Sequence, residues 1–158
     1  MPLLGALGVG ESVASFNQWI VKLNENETPV SDKDLDLFIV KAELLAQGRL
    51  WIGKDGGPRP WWHRMFGAQR WTDSIFAIEW HNDAAALIFH DDNWSEYRAL
   101  RPKELAPYSE DVRLKIAHGE SSPALEDECI SKELAFKAIK EALKYGQRPT
   151  WLNYRFVE

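Results

Sequence analysis

The sequence is short of several things, and each shortage narrows what the chain does. Among 158 residues there is a single cysteine, Cys129. It cannot close an internal disulfide, so the chain is not a stapled secreted scaffold. No apolar run approaches the ~20 residues of a membrane span. The opening MPLLGALGVG is apolar but short, rich in glycine and without a basic residue before Lys22. It does not read as a signal peptide. A soluble cytoplasmic protein with no membrane association is the expectation. Positive charge is in deficit: 19 Lys and Arg stand against 24 Asp and Glu, for a net charge of −5. That argues against broad nucleic-acid binding, which needs cations to displace counterions. Phosphate-binding loops are missing as well. Gly53, Gly56 and Gly57 lack the Lys-Ser/Thr of a P-loop and do not follow the dinucleotide-binding spacing.

What is present is a chain long enough for one core without staples, read as a single domain over 1–158. Eight tryptophans supply much potential core and contact area. The charge is in blocks. Residues 73–96 hold Asp73, Glu79, Asp83, Asp91, Asp92 and Glu96 with no Lys or Arg, whereas Arg49, Lys54, Arg59, Arg64 and Arg70 face only Asp55. Such blocks make oriented fields that speed encounter with an oppositely charged partner. Ordinary solvated surface is the bland alternative.

The last 28 residues carry the clearest local signal. Ser131 is placed to cap a helix. Phe136, Ile139 and Leu143 recur at helical spacing beside Ala135, Ala138 and Ala142. Gly146 suits a left-handed helix end, and Pro149 prevents the helix from resuming. Thr150–Val157 then reads as a strand.

Upstream, Glu11–Leu23 reads as a helix on Val13, Phe16, Ile20 and Leu23. Asn24–Pro29 reads as a loop. Ser31 is placed to cap a second helix over Asp32–Gln47, with Asp34 as partner in a capping box and Gly48 as its end. Leu35, Phe38, Ala42 and Leu45 fit its buried face, although Leu35, Leu37 and Ile39 also alternate as in a strand. Leu50–Ile52 is a short strand and Lys54–Pro60 irregular. Ser74–Trp80 and Ala84–His90 pair through a turn at His81–Asp83. Trp94–Leu100 and Asp111–His118 are further strands, and Glu120–Pro123 is a turn. The fold class that follows is α+β. A mainly antiparallel sheet of about four to six strands carries two N-terminal helices and one C-terminal helix.

Three groups of residues suggest chemistry. His81, His90, Asp91 and Asp92 have the ligand types of a metal site. Strung along a strand, however, the two histidines would stand ~30 Å apart. Cys129 before a helix is more simply a small core residue than a nucleophile. Trp61, Trp62, His63 and Arg64 combine the residues most enriched at interface hot spots. They also suit sugars or single-stranded nucleic acid. No catalytic constellation stands out, and no cofactor is implied.

Gly146-Gln147-Arg148-Pro149, followed by Leu152 and Tyr154 after an Ala-rich amphipathic helix, resembles a bacterial immunity-protein family. So does the hairpin IFAIEWHNDAAALIFHD. Members of that family neutralise deaminase-type toxins of polymorphic and contact-dependent toxin systems. The likeness covers roughly Ile75–Phe89 and Ser131–Phe156. Thr150 stands where the family commonly has an acidic residue, and Tyr154 where it has Trp. The resemblance implies a non-enzymatic antidote whose partner is a cognate toxin domain, entered at its active site. Such a toxin is basic around its substrate channel, so the acidic hairpin becomes the first candidate contact. Its candidate residues are Asp83, Asp91, Asp92 and Glu96, with Trp80 and Trp94 as anchors and Trp61 and Trp62 nearby. A Trp-based binding module or adaptor, and a small metal-dependent enzyme using His81, His90 and Asp91, are the alternatives.

Overall fold

The computed structural model describes residues 19–58, 70–118 and 122–158. The described elements run β1 (Trp19–Leu23), β2 (Asn26–Val30), α1 (Asp32–Glu43), β3 (Gln47–Pro58), β4 (Arg70–His81), β5 (Ala84–His90) and β6 (Glu96–Leu100). There follow α2 (Glu110–Arg113), β7 (Ala117–His118), β8 (Ser122–Pro123), a 3-10 turn (Glu126–Glu128), β9 (Ile130–Ser131), α3 (Lys132–Tyr145) and β10 (Asn153–Val157). The main sheet has eight strands in the order β10-β6-β5-β4-β3-β1-β2, with β9 paired to β5. All its pairings are antiparallel. The chain is therefore α+β as expected, but the sheet is larger than four to six strands.

α3 forms for the reasons its sequence gives. The Ser131 hydroxyl accepts from the Leu134 amide at 3.1 Å, and Gly146 ends the helix at φ 76° with its N–H on the Ala142 carbonyl. Three buried alanines, at 135, 138 and 142, let the helix lie close to the sheet. Phe136 meets Trp80 edge-on at 5.2 Å between centroids. α1 lies on the same face and buries Leu35, Ile39 and Ala42. Between helices and sheet sit Val21, Leu50, Ile52, Phe76, Ile78, Leu87 and Phe89. A second cluster, of Ala84, Ala86, Ile116, Ala124 and Cys129, is packed by Tyr108 and Val112.

Five local expectations are corrected. Trp19–Leu23 is a strand, not the end of a helix; residues 11–18 lie outside the described part. Only one helix is thus described before the central strands, not two. Asn26–Val30 is a strand, not a loop, joined to β1 by a two-residue turn with Asn24 at φ 56°. Asparagine tolerates that left-handed conformation, and Pro29 is accommodated because β2 is an edge strand. α1 stops at Glu43, before Gly48, and its capping box is not formed: the Ser31 hydroxyl donates to the Asp34 carboxylate instead. Lys54–Pro58 continues β3 through a register shift between Asp55 and Pro58, which absorbs the glycines and proline. Of Asp111–His118 only Ala117–His118 is a strand. Ser109 caps a one-turn helix there, and Leu114 is exposed rather than on a buried face.

Candidate protein interface at one end of the sheet

The β5–β6 connection holds the candidates Asp91, Asp92 and Trp94. Asp91 organises it: its carboxylate accepts from the Asn93 amide at 2.9 Å and the Ser95 amide at 3.0 Å. The Tyr97 hydroxyl points to the same carboxylate. Asp91 is therefore a turn-builder, using acceptor capacity that a free surface acid would offer to a partner. Asp92 is left exposed at the tip. Trp94 takes φ 66° and is 60% exposed, with its ring near His90. A bulky side chain in that region is an outlier that its surroundings must hold. Glu96 follows, bound to Arg98 at 3.0 Å.

Other candidates fall elsewhere. Trp80 is 1% exposed; its indole N–H donates to the Leu45 carbonyl, and it is core rather than an anchor. Asp83 lies in the β4–β5 turn, at the opposite end of β5 from Asp91 and Asp92. The acidic hairpin of the sequence is thus two separate ends. Trp61 and Trp62 lie outside the described residues. His81 pairs with Ala84 across the hairpin, so His90 is six residues further along, ~20 Å rather than ~30 Å away. Among the described residues no three His, Cys, Asp or Glu side chains are grouped to hold one ion.

Two arrangements were not legible in advance. Ser74 Oγ accepts from the Trp51 indole at 2.7 Å and lies 2.8 Å from His90 Nδ1. Trp51 has only a donor to offer, so the serine proton is available to the neutral imidazole. Burial lowers the His90 pKa, against the opposing pull of Glu96 and Asp91. Ser74 is itself 7% exposed, and its hydroxyl is held between the Trp51 indole and His90. The second arrangement is at the Gly-Gln-Arg-Pro corner. The Arg148 guanidinium stacks 3.5 Å from the Tyr97 ring centroid and also faces Tyr154. Tyr154 donates to the Pro149 carbonyl at 3.0 Å, and burial pushes its phenol up to about 12.

The corner, the C-terminal end of α3, the first residue of α1 and the end of β5 border an open cleft of about 920 Å³. Among the described residues its polar lining includes Asp32, Lys54, His90, Asp92 and Arg148. Beside it, β6 and β10 bring an exposed Phe156 against Tyr97 at 5.3 Å between centroids. Asp92, Trp94, Glu96 and Phe156 thus gather at one end of the sheet.

Behind this surface lies an ion network. Glu128 is fully buried, 3.0 Å from Arg155 and 3.7 Å from Arg98, and accepts from the Leu125 amide. Arg155 also holds Asp127 in a two-pronged contact. Among the described residues no helix is long and apolar enough to cross a membrane. Comparison with protein families, with curated proteins and with solved structures found no match to this chain.

Proposed function

We propose that this protein is a non-enzymatic immunity protein that binds a cognate toxin domain, of the nucleic-acid deaminase type, and blocks its active site. The observation that carries the reading is Trp94. It is a large aromatic held outward on a left-handed backbone by a turn built for it, beside an exposed acidic residue. Trp is among the side chains most enriched at interface hot spots. Backbone strain at such a residue is maintained where the surrounding structure has a use for it. Asp92 beside it suits the basic substrate channel of an enzyme that acts on nucleic acid. The segment that carries the family resemblance folds as a helix over Lys132–Tyr145 and a strand over Asn153–Val157. The test is calorimetric titration with the toxin domain encoded beside this gene, at two salt concentrations. One-to-one binding in the nanomolar range that weakens with salt is expected, and Trp94→Ala is expected to weaken it strongly. A folded toxin domain that does not bind would remove the reading.

A further inference from the structure

Resting on that reading, we infer that the toxin supplies an extended segment that adds to the sheet along the outer edge of β10. The sheet has two edges, and they are built differently. β2 is the far edge; it carries Glu27 and Pro29 and is almost wholly exposed. Charge and proline are the usual means of keeping an edge from pairing. β10, Asn-Tyr-Arg-Phe-Val, has no proline, its one charge, Arg155, is tied to Asp127 and Glu128, and among the described residues no strand lies outside it.

The register tells which groups β10 offers. The Asp91 amide donates to the Ser95 carbonyl at 3.2 Å, which makes these two a hydrogen-bonded pair. Alternation then makes Phe89 and Tyr97 the next bonded pair across β5 and β6. Glu96 and Arg98 must turn their backbone groups the other way, to Val157 and Arg155. Tyr154 and Phe156 are left with N–H and C=O directed away from the sheet.

That edge ends at the proposed contact. Val157 is opposite Glu96, and Phe156 is opposite Tyr97. Phe156 is 54% exposed on the strand, and Trp94 is 60% exposed just beyond it. A segment laid along β10 would set an apolar side chain against Phe156. One residue pair further it would lie opposite Val157, with Glu96, already bound to Arg98, in the next strand; a long Lys or Arg side chain there would extend toward the exposed Asp92. The partner is therefore an extended stretch with an apolar residue on the Phe156 face and a basic residue at the end nearest the β5–β6 turn. Main-chain bonds supply affinity in such strand addition, and the alternate side chains supply specificity.

The test separates backbone from side chain. Phe156→Pro removes one outward N–H and leaves the β6 ladder intact; Phe156→Ala removes only the ring. With the neighbouring toxin domain as titrant, the proline variant is expected to bind about 10- to 100-fold more weakly than the alanine variant, the effect of one orphaned carbonyl on the partner. Hydrogen exchange gives a second readout that no folding defect can confuse. In the wild-type protein the Tyr154 and Phe156 amides should exchange fast when free and slowly in the complex. Equal affinity of the two variants, with both amides unprotected in a complex that Trp94→Ala still weakens, would overturn strand addition and leave the immunity reading standing. A dimer of the free protein that Phe156→Pro dissolves would assign the edge to a second copy and overturn it too. No binding by the wild type would remove both.

Discussion

Gly48 lies against the face of Trp80: a Cβ at position 48 would stand 2.8 Å from Trp80 Cζ2. The indole cannot retreat easily, because its N–H is held by the Leu45 carbonyl and its ring by Phe136. Gly48→Ala therefore forces a packed core residue out of place. Overpacking of this kind costs about 1–3 kcal/mol. In a chain of this length that lowers Tm by roughly 2–4 °C per kcal/mol. A thermal melt of the alanine variant checks it. An unchanged Tm would mean that Trp80 is free to move.

Asp91 and Asp92 are adjacent acids with different work. Asp91→Ala removes the acceptor for two amides and loosens the turn, at about 1–2 kcal/mol by analogy with a lost helix cap. Asp92→Lys touches no such bond and should leave stability within about 0.5 kcal/mol. Its effect belongs in kinetics. Association with the toxin domain should slow at low salt, and the salt dependence should flatten. Stopped-flow measurements at two ionic strengths, beside melts of both variants, separate the two roles. Equal loss of stability in both variants would refute the division.

How much of the structure is readable from the sequence depends on how local the signal is. Ser131, Gly146 and Pro149 fix α3 and its corner by local chemistry, and they are where the sequence places them. β1 misleads for a physical reason. Ile20 and Val21 are adjacent and both buried, because the strand lies between β2 and β3 and is covered on both faces. Without alternation a buried strand looks like part of a helix. The strand-like alternation at Leu35, Leu37 and Ile39 has a related origin. α1 buries Leu35 and Ile39 but leaves Leu37, Val40 and Leu44 exposed, so it is apolar on two sides. The Trp51–Ser74–His90 chain is invisible in the sequence because its members are brought together only by register across three strands. Nor does sequence show which acid of a pair builds a turn, as Asp91 does.

The His90 arrangement makes stability depend on pH. Burial lowers the folded-state pKa below the ordinary 6.5. In that interval the unfolded chain binds more protons, so stability falls as protons are added. The contribution is complete above pH 6.5 and is lost as pH falls through 6.5 toward the folded value. Urea titrations between about pH 7.5 and 5 should show the decline, and His90→Gln should flatten it. An imidazole titration by NMR at or above 6.5 would refute the sign.

Asp127 acts lower on the pH scale. The hydrogen bond from Arg155, reinforced by its charge, holds the Asp127 carboxyl below its ordinary 3.8. Its contribution is present above that value and lost as pH falls beneath it. The pair is half-exposed, so the effect is modest. Glu128, fully buried between Arg98 and Arg155, matters more to stability. Glu128→Ala leaves Arg155 with Asp127 and Arg98 with Glu96 but strips the Leu125 amide of its acceptor, and should cost about 1–3 kcal/mol. Asp127→Asn should lower stability modestly above pH 3.8 and flatten the acid limb of the curve. A Glu128 variant as stable as the wild type would show that the network is not structural.

Arg148 tests whether the residue most central to the family likeness is structural or a contact. Its guanidinium carbon lies over the Tyr97 ring, and its neighbour Pro149 is buried and accepts from Tyr154. An ammonium cannot stack in that way, so even Arg148→Lys should lose stability, by about 0.5–2 kcal/mol. The same side chain also borders the cleft, where a partner could reach it. The two roles give different outcomes. If the corner is bracing, Arg148→Lys and Arg148→Ala both lower Tm, while the folded fraction binds the toxin domain with wild-type affinity. If Arg148 is a contact, Arg148→Ala weakens binding well beyond its effect on Tm, and Arg148→Lys, which keeps the charge, restores part of it. The 3.5 Å stacking distance favours the first outcome, because a cation already engaged with a ring has less to give to a partner.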